Sequence, residues 1–304
     1  MNILSVGAGG IGGYFGARLV EKGEDVTFLV RQQRRKQLAE SGLTVKSIHG
    51  DYSFSPKLVT AADQDQGPFD LVLFTTKSYQ LQQAIEDVRP FVHEKTIILP
   101  LLNGVAHFDQ LKQAFGDRVI GGLCFIETSL ADDGSILQES QIHRLAYGEW
   151  DGQETERMKQ LQQLFSGTKA DFVYSGQVDT EIWHKYLFIT VASGVTTLFR
   201  SAIGPIRDSE QGYDYIRTVL AECALIMTHE QAPISEEIVA THMKTFESIS
   251  HSMKSSMLRD MERGAETEGD HLQGHLLQLA DKHKLHVPLL TTIYQNVLIY
   301  NLNR

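Results

Sequence analysis

The sequence predicts an α/β fold in two parts, an N-terminal domain of alternating strands and helices and a C-terminal domain that is all-α. Three observations carry that expectation. A glycine-rich loop separates a first apolar strand from a first helix; short apolar strands then alternate with helical segments to about residue 170; and beyond Ser175-Gly176-Gln177 strand-like runs largely cease. The boundary is therefore drawn between a domain at 1–174 and a helical domain at 175–304.

The opening MNILSVGAGGIGGYFGARLVEK reads as a strand at 2–6, a loop at 7–13 and a helix at 11–22. Gly7, Gly9 and Gly12 fit G-x-G-x-x-G, with Gly10 and Ile11 between them, in the strand–loop–helix setting that makes the motif informative. Gly7 permits the tight turn, Gly9 lets backbone approach a pyrophosphate, and Gly12 lets helix and strand pack closely. The anion would rest on the unpaired N–H groups of the helix N-terminus. This predicts a Rossmann-type dinucleotide-binding domain.

A second strand at 26–30 ends in Arg31, followed by Arg34 and Arg35. An NAD site commonly places Asp or Glu there to accept from the ribose 2′-OH, whereas an NADP site prefers arginine for the 2′-phosphate. Arg31 thus favours NADP (NADPH); Arg34 and Arg35 read equally well as a solvated basic turn.

Further strands are expected at 69–75, 96–101, 119–125, 143–147 and 172–174, forming a parallel sheet covered on both faces. Helices are expected at 180–199, 212–230, 235–263 and 270–283, with a last one after Pro288. In proteins of this layout the active site usually lies in the cleft between domains.

The net charge of −10 argues against an extended nucleic-acid surface. Cys124 and Cys223 are the only cysteines and show no motif spacing, which suits a reduced, cytoplasmic setting. No apolar run approaches the ~18–20 residues of a membrane span. His271 and His275 are four apart, yet Leu272 stands where H-E-x-x-H needs glutamate, and no third ligand is evident; no metal is expected. The helical domain has apolar faces enough for a homodimer, or these faces are all internal core.

Lys77 and Asn103 follow core strands, at the edge where open α/β sheets bind ligands. Lys185 interrupts the apolar run EIWHKYLFI; either it snorkels to water or it polarises a carbonyl and supplies a proton. The second role needs a carboxylate nearby, and Ala265-Glu266-Thr267-Glu268-Gly269-Asp270 is the best acidic cluster.

GAGGIG, TTKSYQ, LLNG, EIWHKYLFITVASGVTTLF, SSMLRDMERGAETEGDHLQG and HVP, in this order, make the chain resemble the ketopantoate reductase (2-dehydropantoate 2-reductase) family over nearly its whole length. The resemblance implies NADPH-dependent reduction of a small-molecule 2-keto acid to a 2-hydroxy acid, in the family's case ketopantoate to pantoate in pantothenate biosynthesis. It implies Lys185 as proton donor, Glu268 as the acid that positions substrate and lysine, and Ser256 as a substrate-binding serine. Asn103 falls near nicotinamide and substrate, and Lys77, Arg31 and the glycines at the cofactor. Two departures bear on substrate: the family typically carries asparagines four and eight residues after the lysine, and this chain has Ile189 and Ser193. Its usual Asn-Gly is also Gln273-Gly274 here. Ketopantoate leads as substrate, and a related branched or more apolar 2-keto acid is its rival. A reading of another class is an NADP-binding sensor that has lost turnover.

Overall fold

The computed structural model describes residues 1–304, which divide into two compact units. One comprises Met1–Leu102 and His107–Val178; the other comprises Asn103–Ala106 and Asp179–Arg304.

The first unit begins with β1 (Asn2–Val6), α1 (Gly10–Lys22), β2 (Asp25–Leu29) and α2 (Gln32–Ser41). There follow β3 (Leu43–Ser47), β4 (Tyr52–Phe54), β5 (Lys57–Val59), β6 (Phe69–Phe74), α3 (Leu81–Val88) and β7 (Val92–Pro100). The unit closes with α4 (Ala106–Phe115), β8 (Gly121–Leu130), β9 (Ile136–Gly148), α5 (Glu156–Phe165) and β10 (Asp171–Tyr174). Five strands form an all-parallel sheet in the order β5-β2-β1-β6-β7. The order in which strands are added reverses at β1, where β2 lies on one side and β6 on the other, the switch point at which such sheets bind ligands. The near-continuous apolar runs of β1 and β6 follow from burial on both faces: Ile3, Leu4, Leu71, Val72, Leu73 and Phe74 are fully buried.

The expectation of one parallel sheet holds only for this part. The strands expected at 119–125, 143–147 and 172–174 lie in a second sheet, β10-β9-β3-β4, with β8 antiparallel to β9. An apolar run carries burial but not the identity of its partner, and here the turn at Gly134, with φ of 80°, folds β8 back on β9. The short strands β3, β4 and β5 have too few residues to show a period.

The second unit is helical: α6 (Val178–Phe199), α7 (Ile203–Arg207), α8 (Gly212–His229), α9 (Ile238–Ser248), α10 (Ser256–Glu262), α11 (His275–Lys282) and α12 (Pro288–Asn303). Its core gathers Leu187, Val191 and Val195 of α6 with Ile216, Leu220 and Met227 of α8 and Leu290 and Ile293 of α12. The helix expected over 235–263 is broken into α9 and α10. The break falls in the serine-rich S-I-S-H-S-M-K-S-S, whose hydroxyls compete for backbone groups, and Ser255 caps α10 by accepting from Leu258 N at 3.1 Å. The helix expected at 270–283 opens with a π-helical turn, Asp270–Gly274, before α11. Both cysteines are buried thiols outside any disulfide, and no helix is long and apolar enough to cross a membrane.

His242 on α9 is buried against Phe188 and His184, and burial, then the charge of His184, push it down to about 4. An unfolded histidine titrates near ~6.5, so between the two values the unfolded chain binds the extra proton. The stabilisation from neutral His242 is complete above the unfolded value and is lost as pH falls toward the folded one, costing about 2 kcal/mol by pH 5. Urea denaturation at pH 7 and pH 5 is expected to show this loss, and His242→Gln to flatten it.

Candidate active site

In the first unit the loop after β1 is held by its own crowding. Gly7 adopts φ of 100° and donates its N–H to Leu29 O at 2.9 Å. A Cβ at Gly12 would lie 2.2 Å from Thr75 Oγ1, 2.5 Å from the Gly7 carbonyl oxygen and 2.9 Å from Ser5 Oγ. Helix and strand can approach this closely only without that carbon. Ser5 Oγ donates to Gly12 O at 3.1 Å, and Thr75 Oγ1 to Val6 O at 2.8 Å, tying β1, β6 and α1 together. Gly9 differs: a Cβ there would meet nothing within 4 Å, so packing does not explain the glycine. Gly9 is the N-cap of α1 and offers no side-chain cap, and the first turn carries no acidic residue. Helix α1 therefore starts with backbone N–H groups and the positive end of its dipole available to an anion. Gly10 and Ile11 are its first two residues, and Ile11 packs on the core. These features fit a dinucleotide pyrophosphate.

The three arginines after β2 separate. Arg34 Nη2 donates to Ala8 O at 3.3 Å and Gly134 O at 3.2 Å, fastening the glycine loop to the β8–β9 turn. Arg35 pairs with Asp63 at 2.7 Å. Arg31 takes part in neither contact and stands exposed at the N-cap position of α2. Lys77 is half-buried just beyond β6, beside the same sheet edge.

The second unit contains Asn103, Lys185, Ile189, Ser193, Ser256 and Glu268. Asn103 follows β7 in the chain but clusters with the helices, because the turn at Gly104 (φ 85°) lies against Leu272 and His271. His271, which the sequence suggested only as half of a metal pair, contacts the backbone of Asn103 and feels the charge of Glu268. Burial, the largest effect, holds its ring below the ordinary histidine range. Spacing from Glu268 by three residues was the available signal, since the His271 N–H donates to Glu268 O at 3.1 Å. No three His, Cys, Asp or Glu side chains converge as a metal site.

Lys185 is 9% exposed on α6, one helical turn before Ile189. Ser193, two turns on, is buried and already engaged: Gln273 Nε2 donates to Ser193 Oγ at 2.9 Å and to Thr190 O at 2.8 Å. Tyr186 Oη donates to Leu272 O at 2.7 Å, so the π-helical turn is stitched to α6 at two levels. Ser256 is exposed at the first residue of α10; its neighbour Ser255 is the one that caps the helix and meets Thr196 Oγ1 at 2.7 Å.

Fold and loop geometry together define a two-unit protein with a Rossmann-like domain and a helical domain, the layout of nicotinamide-dependent oxidoreductases. The family model for ketopantoate reductase PanE/ApbA matches residues 3–152, and that for its C-terminal domain matches residues 177–301. The chain belongs to the ketopantoate reductase family. It is 47% identical over 301 residues to the uncharacterized oxidoreductase YkpB of Bacillus subtilis, covering 99% of each chain. It is 23% identical over 289 residues to the 2-dehydropantoate 2-reductase of Pyrococcus abyssi, covering 95% of this chain and 94% of that one. The crystal structure of 2-dehydropantoate 2-reductase from Geobacter metallireducens superposes with a TM-score of 0.89 at 26% identity, covering 98% of this chain and 99% of that one.

Alanine at the two loop glycines separates packing from ligand approach. Gly12→Ala is expected to cost about 1–3 kcal/mol of stability through overpacking. Gly9→Ala is expected to stay within about 0.5 kcal/mol of the parent, as its Cβ enters open space. Thermal melts, paired with a fluorescence titration of a dinucleotide, check both; the Gly9 variant is expected to lose affinity without losing stability.

Proposed function

We propose that the chain is an NADPH-dependent reductase that converts a 2-keto acid into the 2-hydroxy acid. The observation that carries this reading is Lys185, an ammonium 9% exposed on an otherwise apolar stretch of α6, in the same unit as Glu268 and Asn103. A lysine so largely withdrawn from water polarises a carbonyl more strongly than one on the surface.

The N–H groups at the start of α1 would hold the pyrophosphate, Arg31 the 2′-phosphate, and Lys77 and Asn103 the remainder of the dinucleotide. When bound, the cofactor would supply the hydride that reduces the keto carbon. Lys185 hydrogen-bonds the keto oxygen, stabilises the negative charge that develops there, and transfers a proton to it, so that carbon gains hydride, oxygen gains the proton, and water reprotonates the amine. Glu268 balances and orients the ammonium, and the exposed Ser256 hydroxyl donates to the substrate carboxylate.

Ketopantoate, reduced to pantoate for pantothenate synthesis, is the substrate that the names of the relatives support. A more apolar branched 2-keto acid is the second reading, favoured by Ile189, which offers no hydrogen bond one turn from Lys185. A non-catalytic NADP sensor would bind cofactor without turnover.

Lys185→Ala is expected to lower kcat by about 10²–10⁴-fold while leaving the NADPH dissociation constant unchanged, read from absorbance at 340 nm and a binding titration. Arg31→Ala is expected to weaken NADPH by roughly 10-fold or more and leave NADH nearly untouched, since only the former carries the 2′-phosphate. Equal losses for both dinucleotides would refute the assignment of Arg31.

A further inference from the structure

The hairpin of β8 and β9 lies against the start of α1. A Cβ on Gly10 would fall 2.5 Å from Thr128 Oγ1, and one on Gly13 would fall 2.3 Å from Ile136 Cδ1. The helix side of the glycine loop is thus wedged against the hairpin. On the strand side, Gly7 is held by its N–H bond to Leu29 O. Between these anchorages Ala8 is buried in the core, and Gly9 O accepts from Gly13 N at 2.8 Å.

These contacts leave one group undetermined, the peptide plane that joins Ala8 to Gly9. A planar trans peptide can turn over through opposite changes in ψ of Ala8 and φ of Gly9 while both α-carbons keep their places. Glycine accepts either sign of φ, and Gly9, here at φ −91°, has open space where a Cβ would sit. The two orientations differ in what they offer a ligand. In the observed one the Ala8 oxygen is turned to Arg34, and the Gly9 N–H, on the opposite side of the same plane, has no acceptor within the chain. The reversed plane would put an oxygen where that donor stands, and an oxygen repels a phosphate.

Arg34 supplies the missing restraint. Its Nη2 carries two protons, one directed to Ala8 O at 3.3 Å and one to Gly134 O at 3.2 Å. Nη1 donates to Gln37 Oε1 at 2.7 Å, which fixes the fork from behind. We infer that Arg34 is a positioning residue for the dinucleotide: by clamping the Ala8 carbonyl to the β8–β9 turn, it locks the Ala8–Gly9 peptide with its N–H presented to the pyrophosphate. This rests on the dinucleotide site of the reductase reading above and adds a residue to it. Arg34 and Arg31 then act on different parts of the cofactor, since the pyrophosphate is common to NADPH and NADH and the 2′-phosphate is not.

The test titrates NADPH and NADH, by fluorescence, into the full-length parent, Arg34→Ala, Arg34→Lys and Gln37→Ala, each checked for folding by a thermal melt. Arg34→Ala is expected to weaken both dinucleotides by the same factor, roughly tenfold, the worth of one hydrogen bond to an anion. Lysine keeps the charge but has no second nitrogen for Gln37 to hold, so Arg34→Lys is expected to stay close to the alanine variant. Gln37→Ala removes only the Nη1 anchor at an exposed position; it is expected to weaken both dinucleotides equally by a smaller factor, and it decides alone should the Arg34 variants not fold. Unchanged affinities in folded Arg34→Ala would reduce the contact to a structural one. A loss confined to NADPH would make Arg34 a ligand of the 2′-phosphate, and full recovery in Arg34→Lys would make its effect one of charge. Any of these three outcomes overturns the inference. A parent chain that binds neither dinucleotide defeats the reductase reading and the inference together, whereas binding without turnover of any 2-keto acid defeats the reductase reading alone.

Discussion

The close approach of α1 to β1 and β6 is the constraint on which the first unit turns. Gly12 sits where three oxygens, Thr75 Oγ1, Gly7 O and Ser5 Oγ, leave no room for a Cβ. Because helix and strands meet there, the loop between them must turn within a few residues, which Gly7 permits with its positive φ. The same constraint aims the start of α1 across the carboxyl edge of the sheet. The direction of the α1 N-terminus is a by-product of packing: once the helix is forced this close, its unpaired N–H groups have one direction in which to point.

The second unit is organised by buried polar contacts on a long helix. Tyr186, Thr190, Ser193 and Thr196 of α6 each lie buried, and through them the helix is joined to the π-helical turn and to the cap of α10. Such contacts contribute little net stability, but they specify register, because sliding either element would strand several polar groups without partners. The π-helical turn belongs to the same device. It follows Glu268 and precedes α11, and the extra residue in its turn sets Leu272 and Gln273 toward α6 while His271 meets Asn103.

Much of this was legible in the chain. The strand–glycine–helix opening, the apolar runs of β1, β2 and β6, the helical second half and the lysine set within the apolar run of α6 are all local patterns, and local patterns survive translation into structure when burial on one or both faces demands them. The serine-rich break between α9 and α10 was legible in principle, since Ser255 is a good cap, but a long apolar period masked it.

What the sequence by itself determined is therefore the kind of the longer elements and the residue types at the carboxyl edge of the first sheet and along α6, because periodicity, glycine and capping act within a few residues. Tertiary structure alone decided the rest. It assigned β8, β9 and β10 to a second sheet, drew Asn103 to the helices, consumed Arg34 and Arg35 in internal contacts while sparing Arg31, and joined Ser193 to Gln273 across 80 residues of chain. Those outcomes depend on which distant donor finds which acceptor, and hydrogen-bond partners far apart in sequence leave no periodic trace in it.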